Sequence, residues 1–134
     1  MTWANDYIGQ KWKPNGRGDD GLDCWGLVAK VFKDQLDLDL PHWTVEEPYT
    51  NSGAKRALTK AKDESILNNH AEHVIKPKDF DIAMLVRRRV AFHVGVICNG
   101  GVLHISKNTR GATWERLDEF EKYGGKLEVY RWRP

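Results

Sequence analysis

GLDCWGLVAKVF, residues 21–32, joins a turn-forming stretch to an apolar run, with one cysteine at the junction. Upstream, Pro14-Asn15-Gly16-Arg17-Gly18-Asp19-Asp20-Gly21 is dense in turn formers and reads as a loop. Downstream, Leu27, Val28, Val31, Phe32 and Leu36 recur at helical spacing, which predicts a helix over 23–36 with those residues inward. Asp23 is a suitable N-cap and places Cys24 in the first turn. The segment LDLDLP ends the helix, with Pro41 as the stop.

Cys24 has four readings: buried filler, disulfide half, metal ligand or nucleophile. A helix N-terminus carries about half a positive charge and unpaired N–H groups. A thiol there has its thiolate stabilised and its pKa lowered, which suits a nucleophile. Cys98, the other of the two cysteines, ends the apolar run AFHVGVIC and reads as a small buried hydrophobe. The start, MTWANDYIGQKWK, lacks a positive segment followed by an apolar one, so no secretory signal is expected and synthesis in a reducing cytoplasm follows. Action outside a cytoplasm would then need another delivery route.

Residues 3–11 read as a short helix or capping segment, and 42–53, rich in Trp, Tyr and Pro, as irregular. A second helix is expected over 52–68, with Ala54, Ala57, Leu58, Ala61 and Ile66 or Leu67 inward. Strands follow at 80–88, 91–98, 102–107 and 126–132, with a tight turn at Asn99-Gly100-Gly101. Helices first and an antiparallel meander after them predict one α+β domain over 1–134, with N-terminal helices packed on a C-terminal sheet. At 134 residues such a domain buries roughly two-thirds of its unfolded surface. A net charge of +2 gives no footing for nucleic acid, and no run of about 18 apolar residues exists for membrane insertion.

His93 and His104 fall on strands joined by the 99–101 turn and can face the same side. With Cys24 they make a Cys–His–His set. Cys24 would attack a carbonyl, His93 would take its proton and later give one to the leaving amine, and His104 would orient the His93 ring. Several other residues have blander readings. His70 and His73, in HAEH, lack further ligands for zinc, so no metal or other cofactor is expected. Arg87-Arg88-Arg89 reads as a solvated hairpin tip, or as a contact for an anionic polymer or a partner. Of the six tryptophans, Trp3, Trp12 and Trp25 fall near the proposed cleft, while Trp43, Trp114 and Trp132 read as core or docking surface. Residues 122–126 read as a plain loop.

DCWGL, the turn-rich stretch before it and HVGVICNGGVLH together resemble the NlpC/P60 family of papain-like cysteine peptidases. The likeness runs along most of the chain. Trp12-Lys13-Pro14-Asn15-Gly16 lies where the family has a Tyr-led loop, Asp81 matches the aspartate that opens a family strand, and His93 and His104 match the second and third catalytic positions. The resemblance implies a papain-like fold and cofactor-free hydrolysis of peptidoglycan stem peptides, at the D-glutamyl–diamino acid bond. IGQKW, NGRG, GLDCWGLV, LDLP and YRW are most similar to the peptidases encoded with phage tail proteins. That likeness implies a virion tail-tip enzyme acting at the cell wall, beside other tail-tip proteins.

Two departures stand out. Trp25 replaces the family's Ser, which with Asp23 would contact the free amino end of the stem peptide. Trp12 replaces the Tyr, so an indole N–H rather than a phenol would face the oxyanion, with the Cys24 backbone N–H as second donor. Two rivals remain: a structural tail assembly protein with vestigial activity, and an amidase or acyltransferase, including an effector. Loop 42–53 could cover the cleft.

Overall fold

The computed structural model describes residues 3–134. After a 3-10 turn at Trp3–Asp6 the chain forms a two-stranded ribbon, β1 (Arg17–Gly18) and β2 (Gly21–Leu22). Helix α1 spans Cys24–Leu36. Asp23 caps it from extended backbone, φ −92° and ψ −175°, its carboxylate accepting the Gly26 amide at 2.7 Å. Asp37 ends it in the left-handed region, φ 51°, returning its N–H to the Lys33 carbonyl at 3.1 Å. Leu27, Val28, Val31 and Phe32 are buried as expected. Leu36 is 37% exposed instead, at the last turn before the chain leaves the helix at Asp37.

Helix α2 spans Asn51–Leu67, capped by Thr50, whose Oγ1 accepts the Gly53 amide at 3.0 Å. Its buried stripe is Leu58, Ala61, Lys62 and Ser65. Ile66 and Leu67 lie outside that stripe and are exposed. Ser65 can sit inside because its hydroxyl donates to the Ala61 carbonyl at 2.7 Å.

Strands β3 (Ala71–Val74), β4 (Ile82–Arg87), β5 (Val90–Cys98), β6 (Gly101–His104), β7 (Thr113–Arg116) and β8 (Lys126–Trp132) form one antiparallel sheet in the order β3-β8-β4-β5-β6-β7. The expected meander covers β4, β5 and β6. It fails at the ends, where β8 returns to lie between β3 and β4. β3 and β7 are edge strands of sequence AEHV and TWER. Being half-covered, they carry too few apolar residues to signal a strand. Strand β6 stops at His104, short of the expected 107, and a five-residue helix α3 (Leu117–Glu121) follows β7.

The sheet is buried on both faces, which is why β4 reads as a continuous apolar run. Ile82, Met84 and Val86 join the core under α1, while Ala83 and Leu85 join a smaller core around Phe120. The β5–β6 hairpin turns on Asn99 and Gly100, both with positive φ, and Cys98 pairs with Gly101. Asp81 opens β4: its two oxygens accept Arg131 Nε at 2.9 Å and Nη2 at 2.8 Å, and Oδ2 also accepts the Lys78 amide. That fork locks the start of β4 to β8.

The start of α1 lies so close to the preceding loop that a Cβ on Gly26 would stand 1.9 Å from the Gly16 carbonyl oxygen. Gly26→Ala is therefore expected to cost about 3 kcal/mol, read as a lower urea midpoint. Gly18→Ala, whose Cβ would meet nothing nearer than Asp20 Oδ1 at 3.9 Å, should leave the midpoint within about 0.5 kcal/mol of wild type.

Candidate active site

Three segments converge on Cys24. Trp12 is bridged to Leu22, and Lys13 N–H donates to the Leu22 carbonyl at 3.0 Å, so the Trp12 loop lies beside the start of α1. The 42–53 segment is pinned from below. The Asn15 amide donates to the Val45 carbonyl and accepts the Val45 N–H, both at 2.7 Å, and Arg17 Nη2 donates to the Trp43 carbonyl at 2.6 Å. This brings Tyr49 edge-on to Trp12, ring centroids 6.0 Å apart. The third segment is the sheet end where β5 begins and β6 stops.

Between them runs a cleft of about 290 Å³ lined by Cys24, His93, Trp12, Tyr49, Lys55 and Lys107, among others. A larger depression of about 570 Å³ lies over α2, between Lys55, Thr59, Asp63 and Val90. It holds neither cysteine nor histidine, so the smaller cleft is the candidate site.

His93 and His104 sit on one face of the hairpin, as their spacing predicts. His93 Nε2 lies 2.9 Å from His104 Nδ1, which commits Nε2 and leaves Nδ1 as the nitrogen available to a thiol. Sequence reasoning missed what lies behind them. His104 Nε2 is 2.9 Å from Glu115 Oε1, and Tyr123 donates its hydroxyl to the same oxygen at 2.6 Å. Phe120 packs against both imidazoles, at 5.5 and 5.0 Å. Glu115 lies on the unrecognised strand β7 and Tyr123 in the segment read as a plain loop. An acid pointing the same way as His104 from the next strand would have been the only signal.

The electrostatics depart from expectation at Cys24. Burial, and then the neighbouring Asp23 carboxylate, push the thiol up to about 12, against the pull of the helix N-terminus. Burial and the adjacent His104 push His93 down to about 3. His104 is also lowered by burial, with Glu115 pulling the other way. The resting pair is thus a neutral thiol and a neutral imidazole. Such a pair can attack a carbonyl when the proton leaves Sγ for the imidazole as the bond forms.

Asp23, read as a substrate contact, is 1% exposed. Its Oδ1 accepts Arg17 Nη1 at 2.6 Å as well as the Gly26 amide, while Oδ2 has no hydrogen-bond partner among the described residues. In this structure it is a helix cap and half of an ion pair. Of the tryptophans expected at the cleft, only Trp12 lines it. Trp3 stacks on Phe80, and Trp25 is buried against Trp43 with its indole donating to the Pro41 carbonyl. Trp25 therefore fills core. Trp114 donates to the carbonyl of Cys98, which is buried and free. His70 stacks on Trp132, and His73 lies tilted against Tyr130. Arg88 and Arg89 form the exposed β4–β5 tip, and Arg87 lies over Phe92.

Comparison with known proteins gives the class of the chain. Residues 9–119 match the model of the NlpC/P60 family, and the chain belongs to that family. The murein DD-endopeptidase MepS/murein LD-carboxypeptidase of Escherichia coli strain K12 is 29% identical over 63 residues, 47% of this chain and 34% of that protein. The same protein from Escherichia coli O157:H7 matches equally. The chain thus matches about a third of the length of these curated relatives. Among solved structures, the NlpC/p60 domain of the peptidoglycan hydrolase SagA superposes with a TM-score of 0.64 over 94% of this chain and 91% of that one. At 18% identity, this establishes a common fold.

Two outcomes follow from the geometry. Asp23→Ala removes the cap and strands the Arg17 guanidinium, so a loss of about 3 kcal/mol is expected in urea melts. Asp23→Asn, which keeps the capping oxygen, should lose less. His93 is held neutral with its pKa near 3, whereas an unfolded histidine titrates near its ordinary 6.5. The unfolded chain therefore binds the extra proton first as pH falls. The stability from this residue is complete above about 6.5 and drains away as pH drops toward 3. Relative to His93→Gln, wild type should lose ground steadily between pH 6.5 and 4 in thermal melts.

Proposed function

We propose that this protein is a peptidoglycan hydrolase working as a cysteine peptidase, with Cys24, His93 and His104 as its catalytic set. The observation that carries the reading is a half-buried thiol in the same cleft as an imidazole whose other nitrogen is already held by a second imidazole. The family and its solved relative SagA, described as a peptidoglycan hydrolase, support the substrate class.

In this reading Cys24 Sγ attacks the amide carbon while His93 Nδ1 takes the thiol proton. The carbonyl oxygen, now negative, is met by the Cys24 backbone N–H and the Trp12 indole N–H. His93 returns the proton to the departing amine, leaving a thioester. Water, deprotonated by His93, then releases the acid and restores the thiol. Because the resting thiol is neutral, the charge pair arises only on the way to the tetrahedral intermediate.

The finer reading is cleavage of the D-glutamyl–diamino acid bond by a phage tail-tip enzyme carried to the wall by the virion. It is supported by the NlpC/P60 likeness and by the tail-type stretches IGQKW, NGRG, LDLP and YRW. Beside it stand the murein DD-endopeptidase and murein LD-carboxypeptidase activities named for MepS. The neutral Cys24–His93 pair also suits a tail scaffold with vestigial activity.

Purified peptidoglycan digested by wild type should yield stem-peptide fragments whose masses name the bond. Cys24→Ala and His93→Ala should each lower the rate by about a thousandfold or more, and His104→Ala by about a hundredfold. A thiol at Cys24 no more reactive toward iodoacetamide than that of Cys98, with no products from several wall chemotypes, would establish the scaffold instead.

A further inference from the structure

We propose that Glu115 is a positioning residue of this site: by accepting the Nε2 proton of His104 it sets the tautomers of both imidazoles, leaving Nδ1 of His93 bare to act as base. The inference rests on the assignment of His93 as the base of the Cys24 reaction.

An ionised carboxylate only accepts hydrogen bonds. Glu115 Oε1 stands 2.9 Å from His104 Nε2, so that nitrogen carries the proton. Burial holds the His104 ring neutral, which leaves its Nδ1 with a lone pair. His104 Nδ1 lies 2.9 Å from His93 Nε2, so His93 must donate from Nε2. A neutral His93 then has no proton on Nδ1.

Without an acceptor at the far end, the same contact between the rings works equally well in reverse. His104 would donate from Nδ1 to His93 Nε2, and the proton of His93 would sit on Nδ1. That ring cannot take a proton from a thiol. One acidic side chain therefore selects between two hydrogen-bond directions that the ring geometry alone allows. Tyr123 holds it in place, donating to the same oxygen at 2.6 Å. Phe120, completely buried and packed on both rings, keeps water from supplying a competing partner. Glu115 itself keeps a quarter of its side-chain surface, at 25% exposure, so its replacement does not open the core.

The test is long-range proton–nitrogen NMR on the full chain labelled with 15N-histidine, at pH 7.5 and without substrate. Wild type should show both His93 and His104 protonated at Nε2. Glu115→Gln keeps an acceptor oxygen for His104 and Tyr123, and should keep both tautomers. Glu115→Leu should move His93 toward the Nδ1-protonated form and slow iodoacetamide alkylation of Cys24 by at least about tenfold. A wild-type His93 protonated at Nδ1 overturns the proposal, whatever the stability of the variants. So does a folded Glu115→Leu protein with unchanged tautomers. Neither reading depends on peptidoglycan cleavage, so failure of the peptidase assignment in sacculus digestion is seen separately.

Discussion

The pairing of Arg17 with Asp23 is the interaction on which the cleft depends. One carboxylate oxygen caps α1 at Gly26 and receives Arg17 Nη1. The guanidinium in turn donates to the carbonyls of Gly16 and Trp43 and lies over the Trp43 ring at 5.1 Å. A single ion pair thus joins the turn-rich loop, the start of the cysteine helix and the segment that carries Tyr49. With the carboxylate buried and the guanidinium side chain 19% exposed, removing either partner leaves a charge in a place poor in water. The turn formers of 14–21 serve this arrangement by letting the loop backbone come close enough for Gly16 and Gly26 to meet.

Burial sets the chemistry within that frame. A helix N-terminus favours a thiolate by its dipole, but here desolvation and the Asp23 charge outweigh it. The same burial keeps His93 neutral. Thiol and imidazoles rest uncharged, and a line of hydrogen bonds runs from His93 through His104 to Glu115 and Tyr123. In the proposed reaction the direction of each hydrogen bond matters as much as its length, because only one sense leaves His93 Nδ1 free to take the thiol proton.

Much of this was legible in the chain itself. The Asp-Cys junction, the helical spacing of Leu27, Val28, Val31 and Phe32, and the Asn-Gly turn between two apolar runs are local signals, and the elements they mark form where the pattern places them. His93 and His104 share a face because the two-residue turn sets the register and strand side chains alternate. The edge strands β3 and β7 escaped notice because edges keep polar residues. With β7 went Glu115, and with the loop after α3 went Tyr123.

The sequence by itself determined the capped cysteine helix, the histidine hairpin and the family to which both belong, since each rests on contacts within a few residues. Only the tertiary structure decided that Asp23 turns inward to Arg17, that Trp25 is core rather than cleft, and that a carboxylate stands behind the second histidine. Those outcomes depend on which distant surfaces meet. They depend also on how much water the meeting excludes, and that excluded water, more than the helix dipole, governs where the protons of Cys24 and His93 reside.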